Sequence, residues 1–304
     1  MNIKKRVFSL LSSCYVVGCL FAQNILISTP ATSLVLSAPE KGELKYIYYG
    51  AKLSDRDFQT IGSLDKGKYA AYPVYGLNCP SEVALAVKHN DGNMTLQLEV
   101  VKVESSHQDE ANLTIISLKD KVYPFYVKMF YKAYQDTDII EIWSEISHQE
   151  KKTVVLNQFA SAYLPIRKGD VWLSHLYGAW ANEGRLEEVP LEAGMKVIKN
   201  KDGVRNSHTA HAEVMFSLDG KPRENEGRVI GAALCYSGNY KLRIDTDESD
   251  YHHFFAGINE DNSTYNLKNG EIFRTPELAL TYSDEGLSGS SRNFHRWARL
   301  HKLA

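Results

Sequence analysis

Cysteine is scarce. Of the four in the chain, Cys14 and Cys19 fall in an apolar leader, which leaves Cys79 and Cys235. Two cysteines so far apart read as separate small buried hydrophobes rather than as a disulfide framework. There is no Cys-x-x-Cys and no zinc spacing. Charge of one sign is lacking too: 35 Lys and Arg stand against 37 Asp and Glu, a net charge of −2. That balance leaves no electrostatic footprint for nucleic acid or for an anionic membrane surface. Beyond the leader, no apolar run approaches the ~20 residues that span a bilayer. Repeats, low-complexity stretches and a Gly-x-Ser-x-Gly elbow are also missing, and without the elbow the Ser207-His208 pair makes no hydrolase.

The leader occupies residues 1–22. Lys4, Lys5 and Arg6 precede an apolar stretch from Val7 to Ala22, and Gln23 and Asn24 return to polar character. This is the pattern of a secretory signal, so an exported, periplasmic or extracellular protein is expected. Two processing routes fit. Cleavage after Ala22 leaves a soluble protein. Val16-Val17-Gly18-Cys19 has the form of a bacterial lipobox, which would lipidate Cys19 and tether the chain to the outer membrane.

What the mature chain has is strand. Its 18 tyrosines and 11 phenylalanines suit pleated surfaces, with packing in the core as their ordinary use. Thr95 to Val100 alternates strictly, and Ile140 and Ile142 flank Glu141 in the same way. Val122 to Tyr134 is a long aromatic run, with Pro124 marking an edge or a strand start. Asn90-Asp91-Gly92-Asn93, Lys201-Asp202-Gly203, Asp219-Gly220, Ser237-Gly238-Asn239 and Lys268-Asn269-Gly270 punctuate the runs as turns. Ile198 to Ala212, the most polar segment, reads as a long loop. More than ten strands and almost no interior helix predict an all-β, two-sheet antiparallel sandwich over residues 23–288. Near the end, Ser290-Ser291 reads as the N-cap of an amphipathic helix bearing Phe294 and Trp297. Residues 289–304 are therefore expected to begin a linker helix.

Candidate chemistry is thin. Asp55/Asp57, Glu187/Glu188, Glu260/Asp261 and Asp284/Glu285 offer no basis for choosing a catalytic pair of carboxylates. Asp245 to Asp250 departs from a calcium loop, with Asp250 where glycine is needed and Ala256 where glutamate is needed. His208, His211, His252 and His253 diverge on extended backbone, so no metal and no cofactor is expected. Trp180 stands apart. It sits in Gly178-Ala179-Trp180-Ala181-Asn182-Glu183-Gly184-Arg185, where an aromatic ring, an amide, a carboxylate and a guanidinium follow one another. A sugar wants that mix, a ring for its C–H face and planar polar groups for its hydroxyls. A tryptophan closing the core under a loop fits equally well.

Short landmarks recur in order along the chain: Tyr48-Tyr49-Gly50, Tyr72-Pro73-Val74-Tyr75-Gly76, Asp91-Gly92-Asn93, Gly178-Ala179-Trp180 and Arg205-Asn206-Ser207-His208. They continue with Tyr236-Ser237-Gly238-Asn239-Tyr240, Gly257-Ile258-Asn259, Phe273-Arg274-Thr275-Pro276-Glu277 and Tyr282 to Leu287, and end at Ser291 to Arg299. In this order the chain from Tyr46 to Leu300 resembles the N-terminal domain of glycoside hydrolase family 36 α-galactosidases. The resemblance implies a galactose-mutarotase-like β-supersandwich packed on a catalytic (β/α)8 barrel. Both catalytic aspartates would lie on that barrel, beyond Leu303, so no catalytic residue is assigned here. It also implies that Trp180 reaches a galactose pocket, often within an oligomer, with Asn182, Arg185, Arg205 and His208 as further substrate-binding candidates. Two departures stand out: Ala181-Asn182-Glu183-Gly184-Arg185 replaces the usual Gly-Arg-Glu-Arg, and Leu77 to Glu82 replaces an Asp-Phe-Arg run.

The expected function is a non-catalytic domain that shapes a galactoside cleft, its partners being an α-galactoside and a barrel in cis or in trans. The alternative is a free-standing exported carbohydrate-binding protein. A remnant that folds poorly is the third reading. With the barrel absent, Phe294 and Trp297 are expected to be exposed.

Overall fold

Period-two burial runs through the longest strands. In Phe125–Tyr134, Phe125, Val127, Met129, Tyr131 and Ala133 are buried, while Lys128 is exposed and Tyr126, Phe130 and Lys132 are half-buried. Such alternation holds a strand in register, because a one-residue slip would turn every apolar side chain outward. The computed structural model describes residues 23–64, 67–76, 82–205 and 208–303. The leader with Cys14 and Cys19, Leu77 to Ser81 with Cys79, and Asn206-Ser207 lie outside the described residues.

In chain order the strands are β1 (Gln23–Ser28), β2 (Thr32–Ala38), β3 (Lys45–Ala51), β4 (Leu85–Lys88), β5 (Leu98–Gln108), β6 (Ala111–Asp120), β7 (Phe125–Tyr134), β8 (Ile140–His148), β9 (Val154–Ile166) and β10 (Trp172–Ala179). Then come β11 (Asn182–Pro190), β12 (Gly194–Lys199), β13 (Ala210–Ser217), β14 (Val229–Leu234), β15 (Tyr240–Thr246), β16 (His252–Ile258), β17 (Tyr265–Leu267), β18 (Ile272–Arg274) and β19 (Leu278–Ser283). Helix α1 (Asp55–Leu64) follows β3, and α2 (Gly286–Trp297) runs into a π-helical turn, Ala298–Lys302.

Two antiparallel sheets dominate. The larger runs β11-β10-β13-β14-β19-β8-β7-β6-β5, with β18 also paired to β8. The smaller runs β12-β15-β16-β9-β17, with β4 also on β9. One apolar core joins them: Val127, Met129, Ile142 and Phe216 from the larger sheet meet Leu156, Leu164, Leu242 and Phe254 from the smaller. The predicted sandwich is therefore what the chain forms. A third sheet, β1-β2-β3, was not anticipated as a separate layer. Neither was α1, whose start is nevertheless legible afterwards. The Ser54 hydroxyl accepts the Asp57 N–H at 3.2 Å and donates to the Asp57 carboxylate at 2.7 Å, while Asp55 and Asp57 place negative charge in the first turn. The Asp55/Asp57 pair thus belongs to the first turn of a helix that Ser54 caps.

The chain end corrects two expectations. Helix α2 begins at Gly286, not after Ser290, and Ser290 is buried within it. Trp297 is 6% exposed and Phe294 is half-buried; neither is left open to solvent. Both lie on the outer face of the larger sheet, where Trp297 forms a second small core with Ala111, Tyr134, Ile139 and Ala279. Gly231 on β14 permits this. A Cβ there would collide with Ser290 Oγ and come within 2.7 Å of the Phe294 ring. Amphipathicity was read correctly from the sequence, but the surface that covers the apolar stripe belongs to this same chain.

Candidate functional site

Gly178-Ala179-Trp180 becomes the tip of a hairpin. Strands β10 and β11 pair from Trp172 opposite Pro190 to Ala179 opposite Asn182, so Trp180 and Ala181 are the two turn residues. Ala181 has φ of 60°, in the left-handed region that such tight hairpin turns require. The register shifts between Tyr177 and Ala179, and Gly178 sits at the shift. A Cβ at Gly178 would lie 2.5 Å from the Asn182 carbonyl oxygen and 2.7 Å from Glu183 Cα. Glycine is what lets the strands close beneath the tip. Glu183 folds back, its Oε1 accepting the Ala181 N–H at 3.0 Å.

This fastened tip carries Trp180 83% exposed. The core-closing reading of Trp180 is thereby set aside. Asn182 is exposed beside it. Arg185 is drawn elsewhere: the register puts it opposite Tyr177, and its guanidinium lies 5.2 Å from that ring's centre. A cation–π contact on the hairpin flank occupies it. The loop after β12 arrives alongside, since the Gly178 N–H donates to the Thr209 carbonyl at 3.1 Å and Tyr177 pairs with Ala210. His208, half-buried, therefore sits next to the base of the hairpin. Arg205 is exposed farther out, in a turn where its N–H donates to the Asp202 carbonyl at 3.3 Å. The fold brings Trp180, Asn182 and the His208 end of the loop to one edge, and it turns Arg185 onto Tyr177.

Below the tip, Glu187, weighed above with Glu188 as a carboxylate pair, meets His175 across the hairpin and Lys196 of β12, neither of which the sequence singles out. His175 is buried, which lowers its pKa, although the neighbouring Glu187 carboxylate at 2.5 Å works the other way. Burial would raise Glu187, but the Lys196 ammonium at 3.2 Å and His175 hold it below the ordinary glutamate value. Strand β11 is the edge of its sheet and is largely exposed near the tip, with Leu186 facing solvent. The period-two pattern could have flagged Leu186, because it is an apolar residue in a run of charges.

The other clusters are structural. Glu260 and Asp261 bind Lys241 at 3.0 and 2.9 Å. Glu285 pairs with Arg292 at 2.6 Å. Asp247 closes the β15–β16 hairpin. His252 bonds Thr246 and His253 bonds Tyr163, both at 2.8 Å. Among the described residues, one group has ligand atoms close enough to hold a metal: Glu110, Asp136 and His301. There His301 Nε2 lies 3.0 Å from both Asp136 oxygens, a hydrogen-bonding contact that ties the π-helical turn to the β7–β8 turn. No helix among the described residues is long and apolar enough to cross a membrane.

An alpha-galactosidase of Lactobacillus acidophilus is 27% identical over 299 residues, covering 86% of this chain and 40% of that protein. Alpha-galactosidase AgaA of Geobacillus stearothermophilus is 30% identical over 193 residues, covering 64% of this chain and 26% of that protein. The crystal structure of AgaA superposes with a TM-score of 0.83 at 23% identity, over 91% of this chain and 43% of its own, which shows the shared fold. The chain spans 40% or less of the length of these curated relatives. Residues 42–268 match the family described as the glycosyl hydrolase family 36 N-terminal domain. This chain belongs to the glycosyl hydrolase family 36 N-terminal domain family.

Proposed function

We propose that this chain is the non-catalytic N-terminal part of an exported α-galactosidase-like glycoside hydrolase. Its Trp180 hairpin would complete a galactoside cleft whose acid and nucleophile sit on a (β/α)8 barrel supplied in cis or in trans. The observation that carries this reading is the 83% exposure of Trp180 on a tip fastened by Gly178, Ala181 and Glu183. An indole so exposed is costly to leave in water, and a rigid one can stack on the C–H face of a sugar at little entropic loss. Asn182 and His208 supply polar groups beside it. A doubly substituted variant of AgaA has been crystallised in complex with raffinose, which makes raffinose and related oligosaccharides the first ligands to try. A hairpin at a sheet edge can also reach a second copy, so an oligomer with shared clefts is part of the proposal.

The test has two arms. The chain alone should release no p-nitrophenol from p-nitrophenyl α-galactoside. Mixed with the AgaA barrel stripped of its own N-terminal domain, it should restore hydrolysis with a KM that Trp180→Ala raises. Hydrolysis by the chain alone would overturn the assignment, and so would restored activity indifferent to Trp180→Ala. Export is checked by the N-terminus and mass of the protein recovered from periplasm and medium, which also separates cleavage after Ala22 from lipidation at Cys19.

A further inference from the structure

Three elements meet at the chain end, away from the Trp180 hairpin. They are the β5–β6 turn with Glu110, the β7–β8 turn with Asp136 and the π-helical turn with His301. Asp136 and His301 are 165 residues apart in the chain, so no local motif announces them. The two hairpin turns are fixed to each other, because the Gln135 N–H donates to the Glu110 carbonyl at 2.8 Å. On the helical side the Leu303 N–H donates to the Ala298 carbonyl at 2.9 Å, closing a wide turn. From that turn two consecutive side chains reach the sheet, Lys302 toward Glu141 and His301 toward Asp136.

The groups that converge here are metal ligands by type. His301 Nε2 lies 3.0 Å from both Asp136 oxygens, and its Nδ1 lies 3.4 Å from Glu110 Oε2. One ligand atom from each of the three residues falls within 4.8 Å of the other two. The imidazole is 10% exposed and packs against the Tyr134 ring with centres 4.4 Å apart, which fixes its direction. The Asp136 and Glu110 side chains are 31% and 65% exposed, so water has access on their side. A tetrahedral ion with ~2.1 Å bonds holds its ligand atoms about 3.4 Å apart. His301 and Asp136 already stand near that spacing. Glu110, the open member, reaches the Nε2 side by rotating its own side chain. Charge argues the same way. Among the described residues neither carboxylate pairs with a lysine or arginine, and the adjacent Lys302 is taken by Glu141. Two negative charges therefore share one imidazole, which supplies at most one positive charge, and a divalent ion completes the balance.

We propose that Glu110, Asp136 and His301 form a structural site for a divalent transition-metal ion, Zn²⁺ first among them. The ion would staple the chain end to two hairpin turns of the larger sheet. One imidazole nitrogen, two carboxylates and a water position suit Zn²⁺, whereas Ca²⁺ and Mg²⁺ favour oxygen ligands alone. The metal takes the lone pair of Nε2, and any proton held there leaves to solvent.

Isothermal titration calorimetry of the tag-free, chelator-stripped chain tests this with ZnCl2 and CaCl2. Zn²⁺ should bind with one equivalent per chain, and Ca²⁺ at least about tenfold more weakly. His301→Gln and Asp136→Asn should each weaken Zn²⁺ at least about tenfold, and Glu110→Gln severalfold. Joint replacement His208→Gln with His211→Gln should leave the affinity unchanged, as should Trp180→Ala. Saturating Zn²⁺ should raise the melting temperature of the parent by a few degrees and leave that of Asp136→Asn where it was. No heat with Zn²⁺, equal affinity for Ca²⁺, or Zn²⁺ affinity unchanged in Glu110→Gln would overturn the proposal. Glu110 is an exposed side chain, so that variant keeps the test decisive even if His301→Gln fails to fold.

Discussion

Lys302 Nζ lies 2.6 Å from Oε1 of Glu141, a carboxylate only 2% exposed on the outer face of the larger sheet. Tyr134 donates its hydroxyl to the other oxygen at 3.1 Å. Burial acts to lower the Lys302 pKa, but contact with Glu141 outweighs it and holds the ammonium above the ordinary lysine value. The π-helical turn at the chain end thus neutralises a charge buried on β8. Lys302→Ala should destabilise the fold by about 1–3 kcal/mol, less than for a fully buried pair because Lys302 itself is half open to solvent. Lys302→Met combined with Glu141→Gln should recover most of that loss in urea unfolding. Because the folded pKa is raised, this stabilisation is present below pH ~10 and fades as pH climbs past the folded value.

The apolar stripe of α2 makes a stronger prediction. Trp297→Ala removes the largest member of the small outer core and should cost about 3–5 kcal/mol. Gly231→Ala should cost about 1–3 kcal/mol by pushing Ser290 and Phe294 off β14. Differential scanning calorimetry measures both. A Trp297→Ala protein as stable as the parent would mean that the helix does not dock.

The hairpin should separate function from stability. Trp180→Ala removes an exposed ring, so its stability should stay within about 0.5 kcal/mol of the parent. In the barrel-complemented assay its KM for raffinose should rise about tenfold with little change in kcat. Gly178→Ala should behave differently, because its Cβ meets the Asn182 backbone: the tip should distort, and exchange of the Ala181 N–H with solvent should quicken.

Acid should find Asp247. Burial would raise its pKa, but N–H groups of Tyr251 and Ser249, together with His253 and the Tyr69 hydroxyl, bring it down from 3.8 to about 2. The folded chain therefore binds fewer protons there than the unfolded chain does. The contribution is complete above pH ~4 and is lost as pH falls toward 2. Asp247→Asn should be less stable at pH 6 and show a shallower decline between pH 4 and 2, read by urea unfolding at each pH.

The local grammar was legible. Asn90 to Asn93, Ser237 to Asn239 and Lys268 to Gly270 all fall between elements as expected, and Pro124 immediately precedes β7. Helix α1 was missed because its capping signal, Ser54 with Asp55 and Asp57, lies in a short polar stretch with little apolar periodicity to support it. The start of α2 was misplaced because a serine makes an attractive N-cap in one dimension, whereas the sheet surface and Gly231 decide where the helix lies. At the hairpin, residue types marked Trp180 as interesting but could not say whether its ring faced inward or outward.

By itself, the sequence determined the class of fold and the family, since both rest on patterns that survive in one dimension: alternation, turn residues and landmarks in order. Tertiary structure alone decided what each ambiguous side chain does. Trp180 and Trp297 are the same residue type in similarly mixed company, yet one projects into water and the other closes a core. The difference arises because β11 is the last strand of its sheet, while α2 has the broad face of β13, β14 and β19 to lie against. Burial is set by what arrives from elsewhere in the chain, and no window of neighbouring residues contains that.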